Sequence, residues 1–351
     1  MERVHVTENA PLAPLTTLRL GGPARRLVTA RTDAEVIEAV RSADAAGEPL
    51  LVIGGGSNLV IGDAGFAGTV LRIATTGRTL AGTALELAAG EVWADAVAHT
   101  VEAGLAGIEF LAGIPGSAGA TPVQNVGAYG QEVAQTITEV VAYDRQAGAA
   151  VTLPAADCDF SYRHSRFKAD PERYVVLRVR FALEGAGGAS SPVRYAEVAK
   201  TLGVEAGERV PLRTAFETVL ALRAGKGMVL DPTDHDTWSA GSFFTNPVLT
   251  PEQYQDFRQR LAERSLTAPA FPAPDGLTKT SAAWLIDRAG FAKGYGSGPA
   301  TLSTKHTLAL TNRGRATTAD LLALAREIQA GVHAVFGVRL VNEPVLVGVE
   351  L

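Results

Sequence analysis

The feature of this sequence that most restricts its fold is a run of glycines directly behind a short apolar stretch. Leu50-Leu51-Val52-Ile53 has the length and the β-branching of a buried strand, and Gly54-Gly55-Gly56-Ser57-Asn58-Leu59 comes next. A glycine loop behind a strand lets the backbone approach a phosphate and present N–H groups to it. A tight turn that needs positive φ is the simpler explanation when such a run is considered alone.

Two common nucleotide-binding fingerprints are missing around this run. No Lys-Ser or Lys-Thr pair follows the glycines, and no Gly-x-Gly-x-x-Gly pattern leads into a helix. The chain continues instead into two apolar stretches, 59–61 and 70–73, that are typical of strands. The loop is therefore predicted to join strands, which argues against the usual ATP and NAD folds.

A second segment of small residues, 113–130, makes a nucleotide ligand the better explanation. Ordering such a segment costs backbone entropy. Contact of its main chain with a large flat ligand would explain why the sequence accepts this cost. Ser117, Gln124 and Asn125 in this segment offer hydrogen bonds. Two separated runs of this kind predict a dinucleotide between two domains, although a purely structural glycine-rich loop remains the alternative.

Charge and cysteine content limit the class of protein. The net charge of −5 argues against a nucleic-acid-binding protein, and no apolar run is long enough to span a bilayer. The polar N-terminus shows no signal peptide. The single cysteine, Cys158, has Asp157 and Asp159 as neighbours, whose carboxylates are expected to raise its pKa. We expect a cytoplasmic monomer with no nucleic-acid, membrane or metal partner, in which Cys158 is an unreactive thiol.

Helix and strand signals alternate along the chain. Thr32 with Glu35 fits a capping box for a helix that Gly47 ends, and Pro211 is placed to open another helix. The remaining predicted elements are helices at 93–101, behind Pro251, at 282–289 and at 318–335, and strands at 137–143, 174–183 and 338–349. This pattern predicts an α+β chain in three parts, namely 1–75 with 337–351, then 76–210, then 211–336.

Seven motifs together give the chain a family resemblance. They occur in one order over almost its whole length, at residues 16–24, 54–59, 113–130, 160–165, 241–247, 283–287 and 342–344. On these motifs the sequence resembles the UDP-N-acetylenolpyruvoylglucosamine reductase (MurB) family of peptidoglycan precursor synthesis. Singly most of the motifs are weak, and their combination carries the resemblance.

The resemblance implies a fold, a cofactor and a reaction. The fold is an FAD-binding fold of the vanillyl-alcohol-oxidase (PCMH) type in two subdomains, with a separate α/β substrate-binding domain. NADPH is the reductant, and UDP-N-acetylglucosamine enolpyruvate is reduced to UDP-N-acetylmuramate for the cell wall. The residues assigned to the FAD are Gly54, Gly55, Gly56, Ser57, Asn58, Leu59, Ile114, Ser117, Gly119, Gln124, Asn125, Gly127, Ala128 and Tyr129.

Arg163, Ser242 and Glu343 match the family's catalytic set. Hydride addition places negative charge on the substrate carboxylate, which the guanidinium of Arg163 can hold bidentately. Glu343 can share a proton with the enolic oxygen if burial raises its pKa, and Ser242 can protonate carbon if a neighbour polarises it. Glu343 is placed in an apolar strand, 340–347, where an unpaired carboxylate is costly. Each residue also has a simpler explanation. Arg163 could belong to a solvated basic face, Ser242 could serve only packing, and Glu343 could form a structural salt bridge.

Five residues match substrate contacts. Tyr195 is similar to the tyrosine of the substrate-covering loop in the family's type I members, and Lys226 and Asn246 match positions that contact the substrate and nicotinamide. Arg163, Arg223 and Lys226 together predict a basic cleft for a diphosphate, although a lysine favoured by a helix end explains Lys226 as well. Arg288 stands where relatives can carry a neutral polar residue, which leaves this contact open.

Two other functions stay open on the sequence alone. One is an FAD-linked oxidase or dehydrogenase of the same cofactor fold, which would need a base near the flavin and no serine acid. The other is a non-catalytic nucleotide-binding protein. The combination of Arg163, Ser242 and Glu343 with the glycine loops disfavours both.

Overall fold

The structure is a computed structural model that describes residues 5–351. Residues 1–4, which open the first predicted domain and the polar N-terminus, lie outside the described residues. The strands are β1 His5–Pro11, β2 Pro23–Ala30, β3 Leu50–Ile53, β4 Leu59–Ile61, β5 Phe66–Ile73, β6 Arg78–Ala81, β7 Ala84–Ala88, β8 Gly127–Ala128, β9 Gln131–Glu132, β10 Ile137–Asp144, β11 Ala149–Pro154, β12 Tyr174–Ala182, β13 Val248–Leu249, β14 Ala270–Pro272, β15 Thr278–Thr280, β16 Ala300–Leu302, β17 Leu310–Asn312 and β18 Val345–Val347.

The α-helices of the described chain lie between groups of these strands. They are α1 Asp33–Ala46, α2 Trp93–Glu102, α3 Arg166–Ala169, α4 Ala196–Leu202, α5 Leu212–Gly225, α6 Pro251–Glu263, α7 Ala282–Arg288 and α8 Thr318–Phe336. None of the helices described over 5–351 has both the length and the apolar character that crossing a bilayer requires.

The chain divides into two compact units, each assembled from separate pieces of sequence. Unit 1 takes the chain up to Ala10, then Ala24–Gly56 and Ala67–Val229. Unit 2 takes Pro11–Pro23, Ser57–Phe66 and Leu230–Leu351. The predicted division into three parts is a finer one and stays a prediction.

Unit 1 is built on two sheets. A four-stranded sheet has the order β1-β2-β5-β3, with β3 and β5 parallel, and an antiparallel five-stranded sheet has the order β11-β10-β12-β7-β6. The core of the unit includes Trp93 at the start of α2 and Phe181 in β12, both almost fully buried, with ring centroids 5.8 Å apart. Aromatic side chains of this size contribute a large share of the buried apolar area.

The first helix of unit 1 begins and ends where the sequence predicts. The side chain of Thr32 accepts a hydrogen bond from the amide of Glu35, and Gly47 ends α1 in the left-handed region with φ 62°. The reciprocal half of the capping box is different. The Glu35 carboxylate accepts from the amide of Arg31 at 2.6 Å, one residue before the expected donor.

Unit 2 packs short strands around the long helix α8. Its strands form the antiparallel sheet β13-β15-β14, the pair β16-β17, and a parallel pair in which β18 lies beside β4. Leu18 and Val60, which come from the early pieces of the chain, are fully buried in the same core as Phe336 of α8. The carboxyl-terminal strand thus pairs with a strand that follows the first glycine run.

The last strand is much shorter than predicted. The sequence predicts a strand over 338–349 with Glu343 inside it, but β18 covers only Val345–Val347 and Glu343 is half-buried in the segment before it. Pro344 explains the difference, since proline has no N–H to donate to a ladder and restricts the residue before it. The prediction of an acid inside an apolar strand is therefore wrong, and Glu343 sits at the entrance of the strand.

Candidate active site

The two glycine-rich runs meet inside unit 1. A side-chain carbon added at Gly54 would lie 2.1 Å from Oγ of Ser117, and one added at Gly55 would lie 2.7 Å from Cα of Gly116. At Gly55 the neighbour is backbone, so a side chain there would push the two loops apart, and at Gly54 the Ser117 side chain would have to move. The glycines bring main chain from both runs together into one surface.

The second run is held by its own internal contacts. Gly119 packs on the end of β7, because a side-chain carbon there would lie 2.4 Å from Cβ of Ala89. Asn125 is only 1% exposed, and its amide donates to the Glu132 carboxylate and to the Ser161 carbonyl, each at 3.0 Å. Its Oδ1 accepts from the amide of Ala134 at 3.2 Å. The Asn125 side chain, which the sequence assigns to the cofactor, is thus used to shape the loop.

Arg163 lies in a tight turn of unit 1. The backbone amides and carbonyls of Ser161 and His164 bond to each other, and Arg163 between them has φ 55°, a conformation that non-glycine residues rarely adopt. Its guanidinium donates to the carbonyl of Gly127 at 2.7 Å and to that of Asn125 at 3.4 Å. The turn and the second glycine run together fix the orientation of this cation.

A cluster of tyrosines and cations lies at the tip of the hairpin formed by β8 and β9. Tyr129, with φ 50°, packs edge-on against Tyr195 at a centroid distance of 5.3 Å, and the ammonium of Lys226 lies 5.4 Å from the Tyr129 ring centre. Lys226 also pairs with Glu197 at 2.5 Å. Burial raises the pKa of the Tyr129 hydroxyl, although the nearby Lys226 and Arg223 oppose the shift.

The cations of this cluster differ in their partners. Burial opposes the charge of Lys226, but its hydrogen bond to Glu197 and the neighbouring Tyr129 outweigh this and raise its pKa. Arg223 donates from Nη2 to the carbonyl of Met228 at 3.0 Å, and its buried Nε has no hydrogen-bond partner within the described chain. Burial lowers the pKa of Arg223 to about 10. A buried guanidinium with an unused donor is suited to an anionic ligand.

Ser242 and Glu343 come together in unit 2. The amide of Glu343 donates to the carbonyl of Phe243, the residue after Ser242, at 2.8 Å, and Phe244 and Asn342 form a bridge. Asn58 joins them, because its carbonyl accepts from the amide of Val345 at 2.9 Å. The segments that carry Ser242 and Glu343 are thus joined by a main-chain hydrogen bond, while Arg163 belongs to unit 1.

Asn246 and Arg288 lie at opposite ends of α7 in unit 2. Oδ1 of Asn246 accepts from the amide of Ala282 at 3.0 Å, and Ser281 caps the same helix by accepting from Trp284 at 3.3 Å. Arg288 is exposed in the last turn. The amide oxygen of Asn246 is therefore committed to the helix start, which leaves its NH2 group as the donor for a ligand.

Cys158 is a buried free thiol, as predicted. Burial raises its pKa to about 11, with smaller contributions from Asp157 and Asp159. Desolvation and not the adjacent carboxylates is therefore the main reason why this thiol is a weak nucleophile.

The arrangement in unit 1 fits a flavin dinucleotide. Gly54 and Gly55 present main chain without side chains at the point where the loops meet, and the Ser117 hydroxyl lies there as well. Such a surface can approach a diphosphate closely and donate backbone N–H groups to it.

Comparisons with known proteins identify the domains and the family of the chain. A model of an FAD binding domain matches residues 24–153, and a model of the C-terminal domain of UDP-N-acetylenolpyruvoylglucosamine reductase matches residues 231–347. The UDP-N-acetylenolpyruvoylglucosamine reductase of Streptomyces avermitilis is 74% identical over 99% of this chain and 97% of its own length. The enzyme of that name from Thermobifida fusca is 56% identical over 98% of each.

Two solved structures resemble the whole chain. The crystal structure of UDP-N-acetylenolpyruvylglucosamine reductase (MurB) from Thermus caldophilus has a TM-score of 0.67, with 27% identity over 98% of this chain and 99% of that one. The crystal structure of 6-hydroxy-D-nicotine oxidase from Arthrobacter nicotinovorans has a TM-score of 0.55 and covers 97% of this chain and 89% of its own. At 15% identity this likeness shows the fold alone.

These matches define the chain as an FAD-dependent oxidoreductase with mixed α and β structure. Within that class it belongs to the UDP-N-acetylenolpyruvoylglucosamine reductase family. The predicted family, fold class and FAD cofactor are confirmed.

Sequence reasoning missed Glu109, a fully buried acid in unit 1. Glu109 is 0% exposed, between Ile108 and Phe110, which are buried too. An acid inside an apolar segment is the same signal that drew attention to Glu343, and at Glu109 it marks a carboxylate that is truly buried.

Proposed function

We propose that this chain reduces UDP-N-acetylglucosamine enolpyruvate to UDP-N-acetylmuramate with NADPH, and that Arg163, Ser242 and Glu343 are its catalytic residues. The observation that carries the proposal is the hairpin formed by β8 and β9. The guanidinium of Arg163 donates to the carbonyl of Gly127 in this hairpin at 2.7 Å. The ammonium of Lys226 lies 5.4 Å from the ring centre of Tyr129 at the tip. The substrate has two anionic groups, a carboxylate and a diphosphate. The hairpin contacts a cation suited to each of them, namely Arg163 for the carboxylate and the cluster with Lys226 for the diphosphate.

The residues divide the chemistry of the reduction among them. FAD, when bound, supplies the transfer of hydride from NADPH to the enolpyruvyl double bond. Arg163 binds the carboxylate and stabilises the charge that develops on it, because a guanidinium keeps its charge at any working pH. Ser242 donates the proton to the carbon that does not receive hydride, and Glu343 shares a proton with the carboxylate oxygen.

The diphosphate is assigned to unit 1. Lys226, Arg223 and Tyr195 bind it, and we add Tyr129 to this group, since Tyr129 packs against Tyr195 and Lys226. The unused Nε of Arg223 supports this assignment. Tyr195 acts as the covering tyrosine of a type I enzyme, and Asn246 and Arg288 contact the remainder of the substrate or the nicotinamide.

Further assignments follow from the same proposal. The FAD contacts are those of the two glycine runs, except that the Asn125 side chain serves the loop and the Tyr129 side chain is assigned to the diphosphate. The three-part division into 1–75 with 337–351, 76–210 and 211–336, a monomeric state and a cytoplasmic location are also proposed. A single buried free cysteine suits a reducing compartment.

The test is the variant Ser242→Ala in the FAD-loaded enzyme. We expect reduction of the flavin by NADPH at the wild-type rate, with reoxidation by the UDP-substrate slowed by roughly 10² to 10⁴ because the proton donor is gone. Stopped-flow absorbance of the flavin measures both half-reactions. An equal loss in both would make Ser242 a packing residue, and NADPH oxidation that does not depend on the UDP-substrate would instead favour an oxidase.

A further inference from the structure

A buried carboxylate in unit 1 has no part in the chemistry above. Glu109 is 0% exposed in the short helical turn Glu109–Leu111. It accepts hydrogen bonds from the amide of Gly107 at 2.7 Å, from the side chain of Gln131 at 3.3 Å and from the amide of Ser191. A buried carboxylate needs such donors, since it can only accept.

Gln131 extends this network. Its Oε1 accepts from the amide of Phe110 at 2.9 Å, and its Nε2 donates to Oγ of Ser191 at 3.3 Å as well as to Glu109. Glu109 and Gln131 therefore tie together two segments that are far apart in sequence. One is the β8–β9 hairpin, 127–132, and the other is the segment 190–195.

The two tied segments carry the facing tyrosines. Tyr129 is at the tip of the hairpin, and Tyr195 ends the other segment at the start of α4, with 5.3 Å between their ring centres. The segments also touch beside the tyrosines, because a side-chain carbon at Gly130 would lie 3.1 Å from Cβ of Arg194. The spacing of the tyrosines thus depends on how the segments are anchored.

Open space borders the anchored segment. A cavity of about 440 Å³ is lined by Gln131, Ser191, Pro192, Arg194 and Arg209, among others. Because no side chains of the described residues fill the space on this side of the segment 190–195, its position depends more on hydrogen bonds than on packing.

We propose that Glu109, acting with Gln131, is a positioning residue that holds the Tyr195 segment against the Tyr129 hairpin and thereby sets the affinity for the diphosphate of the UDP-sugar. The statement about affinity rests on the proposed function, whereas the anchoring of the segment does not. An amide at position 109 has one acceptor oxygen in place of two, and its NH2 group would face a backbone N–H donor.

The test is Glu109→Gln in the FAD-loaded enzyme, with Asp144→Asn as the matched control. Asp144 is also buried, 4% exposed, and accepts from the amides of Gln146 and Ala147 and from Arg173, none of which lies in the two tied segments. Both variants therefore replace a buried carboxyl group that accepts from backbone amides, and only Glu109→Gln changes hydrogen bonds to the Tyr195 segment.

The first readout is trypsin cleavage after Arg194, an exposed residue. We expect Glu109→Gln to raise the rate of this cleavage by on the order of 10-fold, since one anchoring hydrogen bond is lost, while Asp144→Asn leaves it unchanged. Mass spectrometry of the products identifies the bond. Equal cleavage in the two variants would overturn the anchoring role.

The second readout separates KM from kcat. We expect Glu109→Gln to raise the KM for the UDP-substrate about 10-fold while kcat and flavin reduction at saturating NADPH stay within about 2-fold, because affinity and not chemistry is affected. A fall in kcat without a change in KM would overturn the proposal. If Glu109→Gln does not fold, Gln131→Met is judged on the same two readouts.

Tyr195→Ala separates the substrate role of Tyr195 from the anchoring role of Glu109. If it leaves the KM unchanged, the assignment of Tyr195 to substrate fails, and the cleavage at Arg194 still decides whether Glu109 anchors the segment. If it raises the KM and Glu109→Gln does not, the substrate site stands and the positioning role is refuted.

Discussion

At the scale of the residue, unit 1 concentrates unusual backbone conformations around its site. Asn125, Tyr129 and Arg163 have φ of 42°, 50° and 55°, in the left-handed region. Each such residue costs on the order of 1 to 3 kcal/mol and persists only when its surroundings enforce the conformation. For Arg163 the carbonyls of Asn125 and Gly127 do so, and we interpret the strain as the cost of aiming its guanidinium.

Arg163 can be used to measure this strain. We expect Arg163→Gly and Arg163→Ala both to lose turnover of the UDP-substrate, and the glycine variant to have the larger free energy of unfolding, by about 1 kcal/mol, since glycine adopts positive φ without a penalty. Urea unfolding of the two variants measures the difference.

The control for this pair is Arg178, in the middle of strand β12. There the order should reverse, with glycine less stable than alanine by about 0.5 to 1 kcal/mol, because glycine loses more entropy in an extended strand. An alanine variant at position 163 that is as stable as the glycine variant would show that the turn is not strained.

At the scale of the element, the two glycine loops behave as one structure. Gly54 is not in the left-handed region, so its lack of a side chain matters for space alone. The position that a side chain would take is filled by Oγ of Ser117 at 2.1 Å. From the sequence, glycine at this position is explained by close approach of a phosphate or by a tight turn. The structure adds a third reason, which is the lack of space beside the neighbouring loop.

This contact predicts a compensating pair of substitutions. Gly54→Ala should weaken FAD binding and lower the free energy of unfolding by about 1 to 3 kcal/mol, because the Ser117 side chain is displaced from its place between the loops. Adding Ser117→Gly should recover much of the stability by removing the clash. Fluorescence titration with FAD and urea unfolding measure the two effects.

Gly185→Ala is the matched control for Gly54→Ala. A side-chain carbon at Gly185 meets only Cγ2 of Thr83 at 3.6 Å, an ordinary contact. It should change stability by less than about 0.5 kcal/mol. A double variant no more stable than Gly54→Ala alone would mean that Ser117 is not what excludes the side chain.

At the scale of the whole molecule, unit 2 is a product of three separate pieces of chain. Its core contains Leu18, Leu20 and Val60, all nearly or fully buried, together with the carboxyl-terminal helices. The strand β4, which pairs with β18, also comes from an early piece. The stretch Leu230–Leu351 therefore lacks part of its own core and one of its strands.

An isolated fragment of residues 230–351 should accordingly fail to fold. We expect a poorly dispersed NMR spectrum and no cooperative thermal transition, since three buried apolar side chains and a paired strand are missing. The full chain measured under the same conditions is the control. A well-dispersed spectrum of the fragment would show that the early pieces contribute little to the unit.

Local signals in the sequence were sufficient for much of the fold. Thr32, Gly47 and Pro211 mark the helix boundaries that the structure shows, because caps, glycines and prolines act over about four residues. The same rule accounts for the error at Glu343. The adjacent Pro344 is a strand breaker, and its local effect prevents the apolar run around it from forming one continuous strand.

Most of the elements, the glycine loops and the motifs can be recognised in the sequence alone, and with them the family, the cofactor and the reaction. Which of these residues meet depends on tertiary packing. Tyr129 faces Lys226, Gly54 faces Ser117, and Glu109 binds Ser191, which is 82 positions away. Such contacts have no period or spacing along the chain, since they arise when packing and buried hydrogen bonds are satisfied between distant segments.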